Sequence, residues 1–183
     1  MGHRIAVMLT ILGVCFLPAC TTPPPVGTTP CPEVRLPAPP EEGARHYLGL
    51  PAGMEEFTFA DISAKVLVVE MLQVQCPHCQ GEAPSVNEFY QLVKKRGLAD
   101  RIKVMGIATG NTPFEVDLYR RRYQVPFPLI ADPGGRQLSV AATPTFFVIE
   151  PHADGGQVLY EKKGGLPGGE KFLNLIIERA RLE

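Results

Sequence analysis

The chain has no tryptophan, only five cysteines among 183 residues, and almost no charge imbalance, with 18 Lys and Arg against 19 Asp and Glu. A formal charge of −1 removes the broad basic surface that nucleic acids select, so no nucleic acid partner is expected. The cysteines do not form a disulfide-stapled scaffold, because one close pair, Cys76 and Cys79, accompanies isolated Cys15, Cys20 and Cys31. A second C-x-x-C and closely paired histidines are both missing, which argues against a closed four-ligand zinc site. Gln80 rather than histidine follows Cys79, so haem attachment is excluded. No resident metal and no cofactor are expected beyond a redox-active Cys76–Cys79 disulfide. The apolar stretch from Ile5 to Leu17 falls short of the roughly 20 residues of a spanning helix. No internal repeat is present.

What is there begins with a secretory layout over residues 1–19: Arg4, then that apolar stretch, then Pro18 and a small residue. Leu17-Pro18-Ala19-Cys20 resembles the bacterial lipobox, with proline in an unusual second position. The resemblance implies lipidation of Cys20 and a membrane anchor; ordinary cleavage or an uncleaved anchor is the alternative. Thr21 follows the cysteine and leaves the membrane of residence open. Residues 20–44 are dense in proline, which blocks helix and sheet, and are expected to form an extended tether with Cys31 as a solvated thiol. Folded structure is expected from about Arg45 to the end at 183. With 45% hydrophobic side chains the chain supports one domain with its own core.

Within that domain VLVVEMLQV, from Val66, is a β-branched apolar run of the kind buried on both faces of a sheet. After Cys76 the period becomes helical, with Val86, Phe89, Tyr90 and Val93 on one face and Gly97 at the end. Ile102–Thr109 reads as a second strand. Thr112-Pro113-Phe114-Glu115 then reads as an N-cap, N1 proline and capping-box acid opening a second helix. Phe127–Ala131 is a short strand, Thr145–Glu150 and Gln157–Lys162 form a hairpin, and Glu170–Leu182 is a closing helix. Strands alternating with helices and ending in a hairpin predict an α/β fold with a mixed central β-sheet flanked by helices.

A C-x-x-C at a strand-to-helix junction puts Cys76 at a helix N-terminus, where unpaired N–H groups and the helix dipole favour a thiolate. Cys79, one turn on, is placed to resolve a mixed disulfide formed at Cys76. Pro77 occupies a position where a helix accepts proline, and the His78 imidazole is expected to tune the Cys76 thiolate; a solvated helix-start histidine is the bland alternative. Glu70 lies in the apolar strand on the side that leads to Cys76. A buried carboxyl there has a raised pKa and can exchange a proton with Cys79; a strand-end glutamate reaching solvent is its alternative.

Together VVEMLQVQCPHC, Pro84 and Thr143-Pro144 before a strand resemble the thioredoxin superfamily over about residues 46–183. The resemblance implies a thioredoxin-like fold, Glu70 as buried proton carrier, Pro84 as the kink of the active-site helix, and Thr143-Pro144 as a cis-proline loop lining the substrate site. The extra strand and helix between Ile102 and Tyr123 resemble the insertion of TlpA/ResA-type envelope reductases, whereas Pro77-His78 is the dipeptide of DsbA-type oxidases. Gln75 stands where many relatives carry an aromatic residue.

The function expected from these features is a cell-envelope thiol–disulfide oxidoreductase facing the periplasm, reductase rather than oxidase. Its partners would be envelope protein substrates and a thiol–disulfide electron partner, with the chain acting as a monomer. Two alternatives stand beside it. A thiol peroxidase would place threonine where Gln73 stands, and a copper- or zinc-binding lipoprotein would use Cys76, Cys79 and His78 or His152.

Overall fold

The computed structural model describes residues 29–135, 137–153 and 155–182. The expected signal segment 1–19 and the expected lipidation site Cys20 lie outside the described residues. The axis of the fold is a strand over Val66–Leu72 whose seven residues are all buried, as a β-branched run covered on both faces requires. In chain order the elements are β1 (Thr29–Pro30), β2 (Leu36–Pro37), α1 (Glu42–Leu48), β3 (Glu56–Phe57), a 3-10 turn (Phe59–Asp61) and β4, the axial strand. They continue as α2 (Pro77–Lys95), β5 (Ile102–Thr109), α3 (Pro113–Arg122), β6 (Leu129–Asp132), β7 (Thr145–Glu150), β8 (Gln157–Lys163) and α4 (Gly169–Arg179).

The main sheet has the order β1-β8-β7-β4-β5-β6, and β2 pairs with β3 in a small second sheet. β4, β5 and β6 are parallel, and β7 and β8 are antiparallel to their neighbours. Parallel neighbours require crossovers, which α2 and α3 supply. Alternation along β4 sends Val66, Val68 and Leu72 into a core shared with α2, α3 and α4, through Val86, Phe89, Val116, Phe172 and Ile176 among others. Leu67, Val69 and Met71 enter a second core on the opposite face. The fold is α/β with a mixed central sheet flanked by helices. Among the described residues no helix is long and apolar enough to cross a membrane.

The opposite core corrects the expected start of folded structure near Arg45. Val34 and Leu36 are buried at 2% and 0% exposure, β1 pairs with β8, and β2 pairs with β3. Proline does prevent long elements here, since each of these strands has only two residues. The segment is extended, but hydrophobic residues between the prolines lay it against the sheet. Cys31 is likewise half-buried against this core, and burial pushes its thiol up to about 11. The solvated, free-standing thiol expected from the sequence is corrected accordingly.

Candidate active site

β4 ends at Leu72, and Gln73–Gln75 carry the chain to Cys76, the N-cap residue of α2. Cys76 has extended backbone angles of φ −71° and ψ 119° and Pro77 fills the first helical turn, so the helix starts at the cysteine with its first N–H groups free. The turn is closed by Cys76 N–H donating to the Gln73 carbonyl at 3.0 Å. Pro84 lies inside α2 and withholds one helical N–H.

Cys76 is partly exposed and Cys79 fully buried, and both are free thiols. As a thiol, Cys76 donates to the Thr143 carbonyl at 3.4 Å. Partial burial pushes the Cys76 pKa up, but the Cys79 N–H, the Thr143 hydroxyl, Cys79 itself and the His78 N–H all favour the thiolate and outweigh it. The result is a Cys76 thiol below its ordinary range. Cys79 moves the other way, to about 12, because burial dominates. His78 thus faces the Cys76 sulfur through its backbone, while its side chain is exposed.

The peptide bond between Thr143 and Pro144 is cis, and this loop faces the cysteines from the start of β7. Glu70 is 3% exposed and its Oε1 has no hydrogen-bond partner. Burial first, then the nearby Glu82 carboxylate, pushes Glu70 up to about 8. The carboxyl is therefore largely protonated at neutral pH. His152 lies beyond the far end of β7, beside Glu150, which is about 17 Å along the strand from Thr145 at the cysteine end. The structure does not bring it to the sulfurs, so a Cys76–Cys79–His152 metal set is corrected. Among the described residues no group of three or more His, Cys, Asp or Glu side chains is arranged to hold a metal ion.

Sequence reasoning passed over three neighbours of this turn. Glu82 sits one helical turn beyond Cys79 and accepts from Leu166 N–H at 2.9 Å, and a Cβ at Gly165 would collide with its carboxylate. Its i,i+3 spacing from Cys79 was the available signal. Tyr119 donates its hydroxyl to the Cys79 carbonyl at 2.9 Å. Burial, then the charges of Glu70 and Cys79, raise the Tyr119 phenol, which places those groups around one buried spot. Asn111 accepts from Val74 N–H at 3.0 Å and donates to Gln75 at 2.9 Å. In the sequence it reads only as a turn residue after Gly110.

A partly exposed low-pKa thiol beside a buried high-pKa thiol can attack a disulfide and then release it, with a nearby carboxyl to exchange the proton. The chain is similar to known proteins at low identity. ResA, a thiol-disulfide oxidoreductase of Geobacillus kaustophilus, is 24% identical over 107 residues, 57% of this chain and 59% of its own length. The protein of the same name from Halalkalibacterium halodurans is 22% identical over 127 residues, 67% of this chain and 68% of its own. The chain thus spans about three fifths of the first of these relatives. Among solved structures, a putative thiol:disulfide interchange protein DsbE from Chlorobium tepidum has a TM-score of 0.58 at 19% identity, covering 82% of this chain and 94% of that one. StoA from Bacillus subtilis has a TM-score of 0.53 at 17% identity, covering 68% and 90%. These likenesses give the thioredoxin-like fold. The AhpC/TSA family model matches residues 31–154, from the packed N-terminal segment through the cysteines and β7, and the chain belongs to that family.

Proposed function

We propose that this chain is a thiol–disulfide oxidoreductase that exchanges disulfides with proteins of the bacterial cell envelope through Cys76 and Cys79. The observation that carries the reading is the asymmetry of the pair, with Cys76 lowered and reachable and Cys79 buried and pushed up to about 12. The Cys76 thiolate attacks one sulfur of a substrate disulfide, forming a mixed disulfide and releasing the other substrate sulfur as a thiolate, which takes up a proton. In the fraction of molecules whose Glu70 is ionised, Cys79 then gives its proton to that carboxylate and attacks the Cys76 sulfur, releasing the second substrate sulfur. The products are a Cys76–Cys79 disulfide and a reduced substrate, two electrons having passed to the substrate. A thiol–disulfide partner restores the dithiol. The Thr143-Pro144 loop offers its backbone to an extended substrate segment, and Pro77 and the His78 N–H shape the thiolate.

Reduction is the proposed direction, because the β5–α3 insertion resembles that of TlpA/ResA-type reductases. Export by the 1–19 signal and a lipid on Cys20 would hold the domain at a membrane facing the periplasm, as a monomer. Peroxide reduction is the weaker reading, since exposed Gln73 offers no hydroxyl three residues before Cys76.

Equilibrating the Cys76–Cys79 couple with glutathione tests the chemistry. A reversible disulfide with a midpoint more negative than glutathione supports a reductase, and a more positive one reverses the direction. Absence of any reversible disulfide sinks the proposal. A Cys79→Ser variant is expected to hold envelope proteins on Cys76 as mixed disulfides that dithiothreitol releases.

A further inference from the structure

We propose that Asn111 is a positioning residue for the redox turn, its buried amide tying the two residues before Cys76 to the start of α3. This rests on the reading of Cys76 and Cys79 as the redox pair. Asn111 is 2% exposed, and both ends of its amide bond to the segment before Cys76. Oδ1 accepts from Val74 N–H at 3.0 Å and Nδ2 donates to Gln75 Oε1 at 2.9 Å. The directions of donation are forced. Because Oδ1 must accept from a backbone N–H, only Nδ2 faces Gln75, so Gln75 Oε1 must accept. Gln75 Nε2 then donates to Glu115 Oε1 at 2.8 Å. Glu115 Oε2 accepts from the Thr112 N–H and hydroxyl, each at 2.8 Å, which closes the chain on an ionised carboxylate in the α3 capping box. The Thr112 N–H and hydroxyl lead in holding that carboxyl below its ordinary range.

The same turn is gripped from its other side. Tyr119 of α3 donates to the Cys79 carbonyl at 2.9 Å, and Gln80 Nε2 donates to the Val74 carbonyl at 2.8 Å. Val74 therefore has both backbone groups bonded to side chains, and the chain enters Cys76 along one path. That path decides whether the His78 and Cys79 N–H groups point at the Cys76 sulfur. The strand and helix that lengthen this domain thus act on the cysteines through an amide that touches neither sulfur.

The test follows the Cys76 thiolate by its ultraviolet absorbance against pH and by the rate of iodoacetamide alkylation, in the reduced full chain. Asn111→Leu is expected to move the Cys76 titration upward, lowering the thiolate fraction near neutral pH about threefold or more, with alkylation slowed in proportion. Val116→Ala truncates a buried residue of α3 that makes none of these bonds. It is expected to lower the melting temperature while leaving the titration in place. An Asn111→Leu protein that titrates like the parent, or a Val116→Ala protein that shifts as far, overturns the inference. Should Asn111→Leu fail to fold, Gln75→Leu at an exposed position decides: a smaller upward shift supports it and no shift overturns it. The titration needs no disulfide, so failure of this inference is separate from failure of the Cys76–Cys79 couple to form one.

Discussion

Glu70 holds a carboxyl among apolar side chains with one oxygen unpartnered, and its protonation links stability to pH. Its folded-state pKa of about 8 lies above the 4.5 of a free glutamate. The unfolded chain therefore releases this proton first, and between those values it binds fewer protons than the folded state. Stability falls as pH rises across that window, with the penalty absent below it and complete above it. Glu70→Gln keeps the shape without the charge. It is expected to raise the melting temperature relative to the parent, by more at a pH of about 8.5 than at about 5; an equal change at both would mean that the carboxyl carries no such linkage. Alkylation separates the two sulfurs at the same scale. Reduced protein is expected to lose Cys76 to iodoacetamide much faster than Cys79, with mass mapping of the modified peptide as the check.

The elements differ in how they are stabilised. α3 opens with a reciprocal capping box between Thr112 and Glu115, as the spacing of those residues predicts. Thr112→Ala is expected to cost about 1 kcal/mol, read from the urea midpoint. The N-terminal segment behaves as part of the core instead. Leu36 is completely buried between the small sheet and β6, so Leu36→Ala is expected to destabilise by about 2–5 kcal/mol. A segment that merely spaced the domain from a membrane would show no change in midpoint. From β4 onward the strands and helices were legible because their side-chain periods are regular: β5 spans Ile102–Thr109 as read, and α2 ends two residues before Gly97. The packing of residues 29–40 was not legible, because the many prolines mask a few well-placed hydrophobic residues whose partners lie far along the chain.

At the scale of the molecule, the sheet separates two cores and brings the cysteines, the cis Thr143-Pro144 loop and the α3 tether to one end. The proposed anchor is separable from this assembly. Cys20→Ser is expected to abolish incorporation of labelled fatty acid and release the protein from membranes, while the glutathione titration of Cys76–Cys79 stays unchanged. The sequence by itself determined the strands and helices from β4 onward, the Cys76–Cys79 motif at a strand-to-helix junction and the placement of Glu70 on the strand face leading to it, since each follows from local spacing and side-chain period. Only the tertiary structure decided that Tyr119 reaches the Cys79 carbonyl behind the cysteines, that Asn111 holds the turn before them, and that His152 lies far away. Those relations join positions tens of residues apart through sheet order and helix packing, and local pattern carries no information about distances across the fold.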